Sequence, residues 1–206
     1  MSLLLEVHPD YPNRHSITNI VQCLRNGGVI VYPTDTVYAF GCDIYNNKAL
    51  ERVCRIKGIK MSKANFSFIC SSLSHISDYS RNVSTPVYKL MRKSLPGPYT
   101  FILQATSTVP KLFKSKKKTV GIRVPDNRIA LDILEELGNP LLSTSIPRDE
   151  DLLTYPTDPQ VIYERYKHVT DITVDGGFGN NEESTVIDCT GEEPEIIREG
   201  LGVFEL

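Results

Sequence analysis

No apolar run among the 206 residues approaches the ~20 needed to span a membrane. The amino-terminal stretch Met1–Glu6 has no basic region, and its apolar core is too short for a secretory signal. A cytoplasmic protein is therefore expected. The five cysteines, at 23, 42, 54, 70 and 189, are odd in number and widely spaced, with no C-x-x-C pair. That argues against a disulfide framework and a zinc knuckle, and for reduced core thiols. The four histidines show no metal-ligand spacing either. A Walker loop, a G-x-G-x-x-G fingerprint and a G-x-S-x-G elbow are all missing. Gly176, Gly177 and Gly179 read as a tight turn instead. Aromatics are only 8% and form no stacking platform, which disfavours single-strand recognition of the RRM kind.

What is present is an ordinary globular composition, with 40% apolar residues and a mean hydropathy of −0.20. Charge is unevenly distributed along it. Residues 1–128 carry 19 Lys+Arg against 7 Asp+Glu, and residues 129–206 carry 4 against 18. Such asymmetry fits a basic face for a polyanion, and it fits equally two halves that neutralise each other across one fold. The densest basic run is Lys111–Lys118.

Apolar periodicity predicts helices that alternate with strands. Ile17, Ile20, Val21 and Leu24 share a helix face, with Ser16 as its cap and Gly27-Gly28 as its stop. A second helix begins at Asn46 or Asn47 and ends near Lys57. Others follow over 72–79, from Thr85-Pro86, from Pro125-Asp126 to Gly138, and from Asp158 to Lys167. Strands are expected at 29–32, 65–70, 99–104, 119–124, 140–145, 169–174, 184–189 and 195–198. The fold class is α/β, a single domain with a twisted open mixed sheet flanked by helices.

The strand Val29–Tyr32 ends at Pro33 and delivers Thr34, Asp35, Thr36 and Tyr38. Open α/β sheets build ligand sites at such strand ends, although a buried strand with a Pro-Thr-Asp turn reads the same way. Other strand ends carry hydroxyls or cations: Thr119 and Arg123, Ser143 and Ser145, Ser184 and Thr185, and Arg198. With Lys57, these groups could hold carboxylate and phosphate oxygens. They suit a reaction driven by positioning and charge neutralisation, such as nucleotidyl transfer, more than a covalent nucleophile. Each residue taken singly also reads as a strand terminator or a surface charge.

Six motifs in order carry a resemblance: Pro33-Thr-Asp-Thr-Val-Tyr38, Pro96-Gly-Pro-Tyr-Thr-Phe101, Thr119-Val-Gly-Ile-Arg-Val-Pro125, Ser143-Thr-Ser145, Glu183-Ser-Thr-Val-Ile-Asp188 and Arg198-Glu-Gly200. They resemble the YrdC/YciO family over residues 5–206. The resemblance implies a YrdC-like domain with a basic concave face. It also implies synthesis of L-threonylcarbamoyl-AMP from ATP, L-threonine and bicarbonate for tRNA modification, with Mg2+ on the ATP. By the same resemblance, Thr36, Arg123, Ser143 and Ser184 would contact L-threonine. Lys57, Asn65, Thr119, Ser145 and Arg198 would lie on the ATP side, and Lys57 and Ser145 would carry the catalysis. No protein metal site is implied, and the extra carboxy-terminal domain of some members is not expected here.

Two departures fall on the phosphate side. The family's K-x-R appears here as Lys57-Gly-Ile59, and its S-x-N as Ser145-Ile-Pro147. Losing one charged transition-state contact costs ~10²–10³ in rate. The pattern is closer to the YciO branch. Lys60 is a candidate stand-in for the missing arginine. A non-catalytic module binding double-stranded RNA or a nucleotide stays open beside the synthase reading, as does a structural partner in a modification complex.

Overall fold

The structure is a computed structural model and describes residues 2–61, 64, 66–110, 118–149 and 154–203. Among them are eleven strands and six helices: β1 (Leu3–Glu6), α1 (Arg14–Arg25), β2 (Ile30–Tyr32), β3 (Ala39–Asp43), α2 (Asn47–Ile56), β4 (Ser67–Ile69), α3 (Leu73–Tyr79), β5 (Ser80–Arg81), α4 (Thr85–Ser94), β6 (Tyr99–Ala105), β7 (Thr119–Arg123), α5 (Arg128–Leu137), β8 (Leu141–Ser145), α6 (Pro159–Tyr166), β9 (Ile172–Asp175), β10 (Thr185–Asp188) and β11 (Glu195–Arg198). None of the helices is long and apolar enough to cross a membrane.

All strands join one sheet in the order β1-β9-β2-β3-β8-β4-β7-β6-β10-β11, with β5 paired to β6. The sheet is mixed as expected: β1·β9, β2·β9, β4·β7 and β6·β10 are parallel, and the other pairs are antiparallel.

Period-2 alternation sends side chains to two cores, one on each face. Val29, Val31 and Phe68 enter the larger core, while Ile30, Tyr32 and Ile69 enter the smaller. Helices α2, α3, α4 and α6 contribute Leu50, Val53, Ile76, Met91 and Ile162 to the larger core. Helices α1 and α5 cover the other face with Ile17, Ile20, Leu24, Ile129, Ile133 and Leu137.

Caps explain where the helices start. Asn46, Ser72, Ser84 and Asp158 each accept a backbone N–H of the first turn, as Ser/Thr/Asp/Asn caps do. Two expected caps are corrected. Ser16 is not a cap; it is buried inside α1 and donates its N–H to Asn13 Oδ1 at 2.8 Å. The cap of α5 is Asn127 rather than Pro125-Asp126, and Gly138 ends it in the left-handed region at φ 82°.

Three strands were not expected. β1 runs at the sheet edge with its ends exposed. β3 is buried on both faces and so shows no alternation, and β5 has two residues. The cysteines are all free, and Cys42, Cys54 and Cys70 are buried. Burial pushes the Cys23 and Cys189 thiols up to about 11, so neither is a ready nucleophile.

Phe40 of β3 is fully buried and meets the Tyr166 ring edge-on at 4.9 Å. Phe40→Ala should lower stability by about 3–5 kcal/mol. Tyr11→Ala, at a residue 80% exposed, should change it by less than about 0.5 kcal/mol. Calorimetric melting of both variants checks the assignment of the larger core.

Candidate active site

Helices α1 and α5 leave part of their face of the sheet uncovered. Register aligns small residues there: Ser143 pairs with both Gly41 and Ser67, Ser67 also pairs with Gly121, and Gly121 pairs with Ile102. A cavity of about 830 Å³ opens over this row, and its lining includes Ser67, Thr100, Gly121 and Ser143. That is the size of a ligand pocket, which typically spans about 300–1,000 Å³. A Cβ on Gly121 would come within 3.2 Å of Ser67 Oγ and 3.4 Å of Thr100 Cγ2, so a larger residue would crowd the floor.

Eight of the nine residues that the resemblance assigns to the site line this one cavity: Thr36, Lys57, Thr119, Arg123, Ser143, Ser145, Ser184 and Arg198. Asn65 lies outside the described residues, as do Lys111 to Lys117. Pro147 lines the cavity, whereas Ile59 packs against the larger core. Lys60 is exposed and is not part of the lining. Tyr38 and Thr185 belong to the scaffold. The Tyr38 hydroxyl donates to Gly177 O at 2.7 Å and accepts from Gly176 N at 3.3 Å. Thr185 Oγ1 donates to Gly202 O at 2.6 Å and accepts from Gly200 N at 3.0 Å.

At one end, the tip of β7 meets the turn after β2. Arg123 Nη1 donates to Thr36 Oγ1 at 2.8 Å, and Nη2 forms an ion pair with Asp35. The two side chains are 9% and 11% exposed. Burial pulls the Arg123 guanidinium down from the ordinary arginine value, and the Asp35 carboxylate opposes that. Since arginine keeps its charge, Asp35 is what makes its burial tolerable. Asp35 Oδ2 and Arg123 Nε are buried with no hydrogen-bond partner among the described residues. Buried polar atoms rarely stay so. Of the two residues, Arg123 lines the cavity. Beside them, the Tyr32 hydroxyl donates to Ser143 Oγ at 2.7 Å. Burial raises the Tyr32 phenol, keeping it neutral and a donor. Ser143 therefore accepts that bond and can turn its own proton to a ligand.

At the other end, Lys57 caps α2 and donates from Nζ to Ser145 O at 2.8 Å. Burial lowers its pKa, and Glu183 partly offsets this. Ser145 Oγ donates to Glu183 Oε1 at 3.2 Å, and Arg198 Nη1 lies 3.0 Å from the same oxygen. Arg198 also grips Ser184, through Nη2 to its backbone oxygen at 2.8 Å and to Oγ at 3.2 Å. Ser184 Oγ meets Thr100 Oγ1 at 2.9 Å. Ser184 thus bonds to Arg198 rather than to the Thr36–Arg123 group.

The sequence marked Asp35 only as a carboxylate at a strand end and did not single out Glu183, Arg148 or Tyr155; all four shape the charge here. Arg123 pairs with Asp35, while Arg148 and Arg198 share the single carboxylate of Glu183. The only available signal was position: Asp35 and Glu183 sit inside quoted motifs.

A profile for Sua5, YciO and YrdC, described as telomere recombination, matches residues 22–200. The chain belongs to the Sua5/YciO/YrdC family. It is 43% identical to YciO of Escherichia coli K12 over 203 residues, covering 98% of this chain and 97% of that one. YciO is itself described as uncharacterized, and its crystal structure superimposes with a TM-score of 0.91. A threonylcarbamoyl-AMP synthase of Coxiella burnetii is 28% identical over 172 residues, 84% of this chain and 91% of that one. P. abyssi Sua5, solved in complex with L-threonine, shares the fold with a TM-score of 0.87 at 24% identity. This chain covers 58% of that one.

Arg123→Met would leave Asp35 as an unpaired buried carboxylate. It should cost about 3–5 kcal/mol, and Asp35→Asn/Arg123→Met should recover part of the loss. Urea midpoints of both variants test this. A loss of activity at Arg123 thus reports on the fold as well as on the site.

Proposed function

We propose that this chain is a slow L-threonylcarbamoyl-AMP synthase, acting on ATP, L-threonine and bicarbonate in support of tRNA modification. The observation that carries the reading is the convergence of eight expected residues on one cavity with two differently equipped ends. Membership in a family that includes threonylcarbamoyl-AMP synthases supports it, as does a fold neighbour solved with L-threonine.

In this reading, threonine takes the end formed by Thr36, Arg123 and Ser143. Ser143 and Arg123 line the cavity, and their hydroxyl and guanidinium face the threonine carboxylate. ATP takes the end with Lys57, Thr119, Ser145 and Arg198. The threonine amine takes up CO2 as a carbamate and loses a proton. A carbamate oxygen then attacks the α-phosphorus, the α–β bridging bond breaks, and pyrophosphate leaves. No protein nucleophile is required. The protein orients the two reactants, and Lys57 and Arg198 neutralise the charge that develops on the phosphates.

Mg2+ would enter this end only with ATP, as a companion that shields the phosphate charge. Among the described residues, no group of three or more His, Cys, Asp or Glu side chains could hold an ion, so phosphate oxygens would supply most of its ligands. Ile59 and Pro147 remove two polar phosphate contacts, and the expected rate is lower by ~10²–10³ for each.

Pyrophosphate release from ATP in bicarbonate should require L-threonine, and Ser143→Ala should raise the threonine KM. No release at high enzyme concentration would contradict the synthase reading. Salt-dependent binding of double-stranded RNA would then become the leading function, given the excess of cations in residues 1–128. The lowered Lys57 pKa adds a pH signature. ATP binding should weaken as pH rises and Lys57 loses its proton below the ordinary 10.5. Lys57→Arg should bind ATP evenly across that range.

A further inference from the structure

Glu183 sits where the phosphate end of the cavity concentrates its donors. Its Oε1 takes Ser145 Oγ at 3.2 Å and Arg198 Nη1 at 3.0 Å. Its Oε2 lies 3.5 Å from Arg148 Nη2. Tyr155 is also hydrogen-bonded to this carboxylate, and Lys57 feels its charge. Glu183 is only 17% exposed at the side chain. Two arginines and two hydroxyls therefore contact a single carboxylate, and Lys57 adds a third positive charge nearby. That charge exceeds what one monoanion neutralises, and it matches a polyanion with several oxygens. Arg148 is placed for the task. It directly follows Pro147, its guanidinium lies 5.1 Å above the Tyr155 ring, and it keeps 58% of its side chain exposed. Tyr155 itself is buried. The ring braces the arginine while its nitrogens stay available at the cavity wall.

We propose that Glu183 is an internal competitor in the anion subsite formed by Lys57, Ser145, Arg148, Tyr155 and Arg198, and that Arg148 supplies there the cation absent at Ile59. A pyrophosphate or polyphosphate group enters by displacing the Glu183 carboxylate from Arg198 and Ser145. The site is thereby set against weakly charged anions, because a carboxylate of equal charge gains little by the exchange. A group with two or more negative charges gains additional pairing with Lys57 and Arg148. The inference rests on the proposed placement of phosphates at this end, and it needs no turnover.

Calorimetric titration of the full chain with inorganic pyrophosphate, in magnesium-free buffer at fixed ionic strength, tests it. Glu183→Gln keeps a side-chain oxygen for Ser145 and Arg198 while removing the competing charge. It should bind pyrophosphate about tenfold more tightly than the unaltered chain, whereas Arg148→Ala should bind about tenfold more weakly. Equal or weaker binding by Glu183→Gln overturns the proposal, and so does absence of binding by both it and the unaltered chain. Unchanged binding by Arg148→Ala overturns the role of Arg148. Melting temperatures within a few degrees of the unaltered chain exclude misfolding as the cause of a loss. The synthase reading fails separately. Pyrophosphate binding with the stated ranking, but no threonine-dependent release from ATP, overturns that function and leaves the competitor in place.

Discussion

Arg123 and Asp35 are both charged, and both are nearly out of reach of water. Neither could be left there alone, because an uncompensated buried charge costs several kcal/mol. Their pairing ties the end of β7 to the turn after β2, two segments that are 88 residues apart and not neighbours in the sheet. The turn is tightened from within. Thr34 Oγ1 donates to Val37 O at 2.8 Å and accepts from Thr36 N at 3.1 Å. Tyr38 then anchors it to the turn after β9. With these bonds in place, Thr36 and Ser143 take fixed positions on one wall. The pair is thus a scaffold element that also belongs to the site.

The second constraint is what the sheet omits. Most of its surface is covered by helices packed on Val, Ile, Leu and Phe side chains. Over β4, β6, β7 and β8 the uncovered face carries Ser67, Thr100, Gly121 and Ser143, which are too small to fill the space above them. Small hydroxyl residues do two things at once. They leave a cavity, and they line it with groups that can both donate and accept. The charged residues reach this floor from strand ends and loops, so chemistry and packing occupy different parts of each strand.

Helices were the most legible part of the sequence, because caps and apolar spacing are local signals. Asn46, Ser72 and Gly138 act where their residue types suggest. β3 was not legible: burial on both faces erases alternation over five residues that include Gly41. Ser16 misled because a residue of capping type stands three positions inside the helix, while Asn13 does the capping. The site was legible as a set of positions, since ordered motifs marked strand ends that the fold brings together. Its charge state was not. Glu183 meets Ser145 across 38 residues and Arg148 from a separate loop, and such pairings exist only after folding. Cation counts along the chain do not register which arginines Asp35 and Glu183 meet after folding.

The account rests on one cavity holding two reactants at its opposite ends. A crystal structure of the chain with L-threonine and a non-hydrolysable ATP analogue addresses that most directly. The account predicts threonine beside Thr36, Arg123 and Ser143, phosphates beside Lys57, Arg148 and Arg198, and the Glu183 carboxylate withdrawn from Arg198. Phosphates bound elsewhere, or bound while the Glu183–Arg198 pair stays closed, would contradict it.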